Sequence, residues 1–227
     1  MTHKLLRGVL ASVNKGNLID TVVFQYNPDT VKRTLRPQSA TQAQTGAPAE
    51  SQGQSMQSSE APSYIDAPSQ TLSFTAYFDA MADETFKDKG QLAKMKKFGI
   101  GAQLALLEKL AYPNTSAVEK RERKRDTSKM PLRLWSPRTV LIWGNNRVLP
   151  VRITSLDITE DVFDPLLNPV RATVAITLEV QTYANRQPED EDYARFGAYH
   201  KALEQLAKQA VGPSRTDRQQ LQKYLAR

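Results

Sequence analysis

The stretch Asn168-Pro-Val-Arg-Ala-Thr-Val-Ala-Ile-Thr-Leu-Glu-Val-Gln-Thr-Tyr183 alternates for longer than any other part of the chain. Ala172, Val174, Ile176, Leu178 and Val180 fall on one face, while Arg171, Thr173, Ala175, Thr177, Glu179 and Gln181 fall on the other. Period two marks a half-buried strand, because successive side chains of a strand point to opposite sides. At about 3.3 Å per residue such a strand runs for roughly 40 Å, against a usual length of about five or six residues. A strand that long needs neighbours. It predicts an antiparallel β domain, with one face packed and the other meeting water or a partner.

Composition bounds the rest. A chain of 227 residues with 40% apolar content can bury one sizeable core, and its length does not demand two domains. There is no cysteine, hence no disulfide framework and no thiolate metal site, and His3 and His200 are the only imidazoles. The sequence has no Gly-rich phosphate loop, no Ser/His/Asp ordering and no carboxylate pair spaced for acid–base work. Neither a cofactor nor a metal is expected, and a binding or structural role is favoured over catalysis. The Met1 to Gly8 segment lacks the apolar core of a signal peptide, and no apolar run reaches about 18 residues. Cytoplasmic residence without membrane insertion is expected. The net charge of +7 is spread over several segments and so carries little specificity.

In chain order, Leu5 to Val13 and Leu18 to Tyr26 are apolar-rich runs around Asn14-Lys15-Gly16-Asn17, whose Asn and Gly residues accept the positive φ of a tight hairpin. The second run ends at Asn27-Pro28, where proline lacks an amide hydrogen. From Pro37 to Pro68 the sequence is Gln, Ser, Ala, Thr, Pro and Gly, too poor in apolar residues to offset its ordering entropy, and reads as a long mobile loop. Ser69 to Asp79 alternates again, with Leu72, Phe74, Ala76 and Phe78 on one face. Asp79, Asp83 and Glu84 lack a regular ligand spacing and read as solvated loop and cap carboxylates.

A helix is predicted from about Ala102 to Tyr112, with a shorter one before it; Gly99 and Gly101 interrupt the pattern between them. The run Glu119 to Asp126 holds five cations and three acids but no aromatic residue to stack a base, so it reads as a solvated loop. Arg138 to Trp143 is nearly all apolar and predicts a strand covered on both sides. It is turned by Gly144-Asn145-Asn146 into a partner over Arg147 to Ile158. Phe163 to Pro169 links that hairpin to the long strand. Asp190 to Ala210 carries Tyr193, Phe196, Leu203, Leu206, Ala207 and Ala210 on one helical stripe, ended by Gly212-Pro213, and a basic tail follows.

Four segments, in order, resemble one family. They are Phe24-Gln25-Tyr26-Asn27-Pro28; Thr71-Leu72-Ser73-Phe74 through Tyr77-Phe78-Asp79; Leu141-Ile142-Trp143-Gly144; and Phe163-Asp164 through Asn168-Pro169-Val170-Arg171-Ala172. The set is similar to the tube-adaptor or tube-initiator baseplate proteins of contractile injection systems and related phage-tail-like particles. The resemblance implies a mainly β (α+β) fold with an antiparallel tail-tube-like β-barrel or sandwich, to which the periodicity read above adds one or two packed helices and a C-terminal helical extension. Residues 1–186 would form the tube-like domain, with polar and charged loops at 37–68 and 115–130, and 187–227 the extension.

The resemblance also implies a homo-oligomeric, hexameric ring that joins the hub and spike to the inner tube, with the inner tube protein and other baseplate subunits as partners. In it Phe24, Phe78, Trp143 and Phe163 are core or corner aromatics. Asn27, Pro28 and Gly144 set turns, Asp79 closes its motif, and Pro169, Arg171 and Ala172 start the long strand. Two departures stand out: the LysM-like module that many such adaptors carry is absent, and the 37–68 loop is longer and more polar than usual. Outside the resemblance, Lys120 to Arg125 and the tail after Pro213 support an alternative as a basic nucleic-acid-binding protein. An enzyme with convergent carboxylates is a weaker one.

Overall fold

The computed structural model describes residues 7–37, 67–81, 97–113, 115–116, 118–119, 136–210, 212, 218 and 222. The readings made for most of the polar loop, for Asp83 and Glu84, for Lys120 to Asp126, for the shorter helix before Ala102 and for most of the tail lie outside these residues. Seven strands form one antiparallel sheet in the order β2-β1-β5-β6-β7-β4-β3. They are β1 (Val9–Asn14), β2 (Asn17–Val23), β3 (Val31–Arg36), β4 (Ser69–Asp79), β5 (Thr139–Ile142), β6 (Val148–Phe163) and β7 (Pro169–Val180). Helices α1 (Gly101–Ala111) and α2 (Glu191–Ala207) pack on it. The fold is therefore mainly β with packed helices, including one near the C-terminus.

β7 behaves as its alternation dictates. Ala172, Val174, Ile176, Leu178 and Val180 are all at most 1% exposed, and β7 lies between β6 and β4 in the sheet. Burial of each large side chain contributes at most about 1.5–3 kcal/mol. β4 repeats the pattern, burying Leu72, Phe74, Ala76 and Phe78 directly opposite Leu178, Ile176, Val174 and Ala172.

The sheet curls. Phe24, just past β2 at one edge of the strand order, meets Phe74 of β4 edge-on at 5.3 Å, and Leu10, Leu141, Leu149, Leu72 and Ile176 share one core. Helix α1 seals that core with Leu104, Leu107 and Leu110. Its entry is fixed by Gly99 (φ +57°), where a β-carbon would stand 2.0 Å from the Pro169 carbonyl oxygen; Ile100 N–H donates to that oxygen at 2.8 Å.

Several local expectations change. In the first hairpin the positive φ values fall on Lys15 (48°) and Gly16 (77°), while Asn14 and Asn17 form the last ladder pair. β3 has no counterpart in the sequence reading, because Val31-Lys-Arg-Thr-Leu-Arg36 is a charged edge strand without a clean apolar face. β6 runs on to Phe163, past the expected end at Ile158, since register shifts after Ile153 and Glu160 break its period of two.

The α2 stripe is packed only in part. Phe196 and Tyr199 join the core, Tyr183 meets Tyr193 at a tilt and Phe196 edge-on, both at 4.8 Å, and Leu203 and Leu206 remain 41% and 54% exposed. Asp190 caps the helix by accepting from Asp192 N–H. The buried Asp192 carboxylate is held by Arg195 at 2.8 Å. Tyr199 receives a hydrogen bond from Arg33 of β3 at 3.3 Å, so α2 reaches from β6 across to the far edge of the sheet.

Candidate assembly surfaces

The polar faces of β4 and β7 lie side by side. Thr71, Ser73, Thr75 and Tyr77 of β4 stand opposite Glu179, Thr177, Ala175 and Thr173 of β7. Ser155, Asp157 and Thr159 of β6 stand opposite Thr177, Ala175 and Thr173. Lys32, Thr34 and Arg36 of β3 complete the layer, opposite Ser73, Thr71 and Ser69. Short hydroxyl side chains thus cover the middle of a four-strand surface, and ion pairs close its two ends: Arg152 with Glu179 at one, and Arg171 with Asp79 at the other, where Nε and Nη2 both donate to Oδ2 at 3.1 Å. All four ionic partners retain solvent exposure, so each pair contributes roughly 0–1 kcal/mol. Their effect is to leave the face near neutral.

Two strand edges of this layer are open among the described residues. β3 is the last strand in the order, and its exposed side chains include Lys32, Leu35 and Arg36. β6 pairs with β5 only over Val148 to Val151, and from Arg152 to Phe163 its second edge has no strand beside it. Asp157, Glu160 and Asp161 are exposed there. Open edges carry unpaired backbone donors and acceptors that template further pairing.

The corner after β2 is tightly built. Phe24 N–H donates to the Gly8 carbonyl and Gly8 N–H to Asn27 Oδ1, both at 2.9 Å. Phe24, Phe74 and Trp143 form an aromatic cluster with centroids 5.3–6.3 Å apart. Gln25, to which the sequence reading assigned no role, makes the decisive contacts. Its Nε2 donates to the Asp79 carbonyl and its Oε1 accepts from Asp79 N–H, both at 2.7 Å. A side-chain amide has the same donor and acceptor pair as a peptide unit, and here it clamps the β2 corner to the end of β4.

Pro28 is buried beside this corner, and Phe78 and Ala172 are buried in the core. Gly144 takes φ +68° in the turn that Trp143 N–H closes onto the Arg147 carbonyl at 2.8 Å. Phe163 lies apart from the aromatic cluster, 47% exposed at the end of β6.

Beyond Phe163 the β6–β7 hairpin ends in a braced tip. Asp164 Oδ1 accepts from Leu166 N–H and Asn168 N–H, and Oδ2 accepts from Asn168 Nδ2, all at 2.8 Å. The Asn168 side-chain and backbone donors hold the Asp164 carboxyl below its usual range. Leu166 and Leu167 project 79% and 80% exposed, and Leu167 sits at φ +62°. At the opposite end of β7, Pro113, Pro137, Val151, Ile153 and Gln181 line an open cleft of about 1110 Å³, together with Arg138, Arg152 and Arg186.

The family model for the contractile injection system tube protein matches residues 6–189. The chain belongs to that family. No curated protein matches it.

As a contractile injection system tube protein, the chain is a structural component of the tube. The matched region contains all seven strands and α1, and it stops just before α2. No group of three or more His, Cys, Asp or Glu suited to a metal occurs among the described residues. No helix among them is long and apolar enough to cross a membrane. The Gln25 clamp is legible only in retrospect: its place between Phe24 and Tyr26 shows a polar side chain in an apolar run, but not its partner 54 residues away.

Proposed function

We propose that this tube protein is the adaptor that joins the baseplate hub and spike to the inner tube, as a closed ring assembled in the cytoplasm. The layer β6-β7-β4-β3 faces the lumen, and β3 of one subunit pairs with the open edge of β6 in the next. Residues 1–186 are the ring-forming unit, and 187–227 are an extension whose helix braces the layer from behind. The sixfold symmetry comes from the resemblance described above. The partners are the hub or spike on one side and the inner tube on the other.

The observation that carries this reading is the complementarity of the two open edges. Laid antiparallel, Val31 falls opposite Val162, Lys32 opposite Asp161, Arg33 opposite Glu160, Thr34 opposite Thr159, Leu35 opposite Ile158 and Arg36 opposite Asp157. Every cation meets an acid, and apolar residues meet each other. The four strands β6-β7-β4-β3 that each subunit gives to the layer keep each seam antiparallel, and closure by rotation leaves neither edge of the layer exposed. The near-neutral hydroxyl face then lines an aqueous lumen with few sites at which a passing polymer would stick.

Native mass spectrometry and negative-stain imaging of the purified chain test this. Closed rings are expected; a monomer at all accessible concentrations would sink the reading. The hub-to-tube role is tested in particles lacking the protein, where hub and tube should separate, and correctly joined particles would contradict it.

A further inference from the structure

Ring closure through β3 and β6 leaves the cleft at the Val180 end of β7 without a role. The cleft measures about 1110 Å³ and has walls of two kinds. Pro113, Pro137, Val151 and Ile153 make an apolar side. Arg138, Arg152 and Arg186 bring three guanidinium groups from three separate segments: just ahead of β5, within β6, and just after the 3-10 turn Tyr183–Asn185. Among the described residues no acid lines it.

Acids outside the lining hold each guanidinium in place. Arg138 meets Asp190 through Nη1 at 3.0 Å and Nη2 at 3.3 Å, and Arg152 donates from Nη2 to Glu179. Arg186 reaches Asp190 and Asp192 only at 3.6 Å, too long for a good hydrogen bond. Asp192 is already held by Arg195 at 2.8 Å, and Arg186 Nε is buried without a partner, so Arg186 is the least satisfied of the three. With an acid behind every cation, the cleft offers directed donors more than net positive charge. A guanidinium carries five N–H donors in a planar fork. Arg138 and Arg152 therefore retain donors after these bonds, and they keep 43% and 56% of their side-chain surface exposed.

We propose that this cleft binds a phosphate monoester, with the phosphate on the guanidinium groups and the ester's apolar body against the proline and aliphatic side. A terminal phosphate presents three oxygens to three forks, whereas a carboxylate presents two. A bare inorganic anion would leave the apolar side wet. Apolar walls with a few convergent polar groups are the usual build of a small-molecule site. The site lies within one subunit, so it stands or falls independently of ring closure.

The test is calorimetric titration of the full chain with phenyl phosphate, inorganic phosphate and benzoate. Phenyl phosphate should bind more tightly than either of the others. Arg152→Gln with Glu179→Gln removes one fork without leaving a free acid beside it. The double variant should melt as the parent does and bind phenyl phosphate roughly tenfold or more weakly, the loss expected for one charge-assisted hydrogen bond. Methyl NMR signals of Val151 and Ile153 report the site without any variant, and they should shift as phenyl phosphate is added. No binding of phenyl phosphate by the parent, equal binding by the double variant, or unmoved methyl signals would overturn the site. Benzoate bound as tightly as phenyl phosphate would overturn the phosphate assignment, and inorganic phosphate bound as tightly would overturn the ester.

Discussion

Reversing the charges of the β3 edge should dissolve the ring without unfolding the subunit. In the proposed seam Lys32 and Arg36 face Asp161 and Asp157, and in the monomer both cations are exposed. A cross-strand opposite-charge pair contributes roughly 0.2–1 kcal/mol, and a like-charge pair costs a similar amount. Lys32→Glu with Arg36→Glu turns two favourable pairs into two repulsive ones, a change of about 1–4 kcal/mol per seam. With tenfold in an association constant for each ~1.4 kcal/mol, pairwise affinity falls from about fivefold to several hundredfold. Arg33 is left alone because it donates to Tyr199 and helps hold α2.

The assay is native mass spectrometry across a concentration series, with thermal unfolding as the control for fold. The reversed variant should shift from ring to monomer while melting as the parent does. Adding Asp157→Lys and Asp161→Lys should restore the ring. Raised salt should weaken the parent ring, because the Debye length shortens from about 8 Å at physiological ionic strength to about 3 Å at 1 M. A reversed variant that still forms rings, or a fourfold variant that stays monomeric, would refute the pairing of β3 with β6.

Other outcomes follow from the packing. Leu178→Ala, at a position fully buried between β6 and β4, should lower the unfolding free energy by about 2–5 kcal/mol in urea titrations. Gln25→Ala leaves the Asp79 amide and carbonyl unpaired at the corner and should cost about 1–3 kcal/mol in the same measurement. Gly99→Ala forces a β-carbon toward the Pro169 carbonyl at positive φ and should destabilise by more than about 1 kcal/mol. The Asp164 carboxyl titrates below its ordinary 3.8 in the folded chain. Its contribution is therefore complete above that value and is lost as pH falls through the depressed folded value. Amide signals of Leu166 and Asn168 should shift only in that acid window, and not at all in Asp164→Asn.

What could be read from the sequence follows from which interactions are local. The alternations of β4 and β7 record a one-sided burial that each residue reports by itself, so the core faces are legible residue by residue. β3 is not, because an edge strand with Lys32, Arg33 and Arg36 has no apolar face to announce it. The outer half of β6 is hidden for another reason: bulges after Ile153 and Glu160 shift the alternation, so that the predicted strand ends at Ile158. The aromatic motif residues divide in the same way. Phe24 and Trp143 pack against each other and against Phe74, whereas Phe163 stands at the tip, and only the curl of the sheet tells these fates apart. The Gln25 clamp is a pairing across 54 residues with no signature within either segment.

The most direct measurement is a high-resolution cryo-electron micrograph reconstruction of the assembled protein, read at the boundary between neighbouring subunits. Continuous antiparallel density should join β3 of one subunit to β6 of the next, with Thr34 opposite Thr159 and Lys32 and Arg36 against Asp161 and Asp157. Subunits that meet through other surfaces, leaving the β3 edge and the outer β6 edge in solvent, would contradict it.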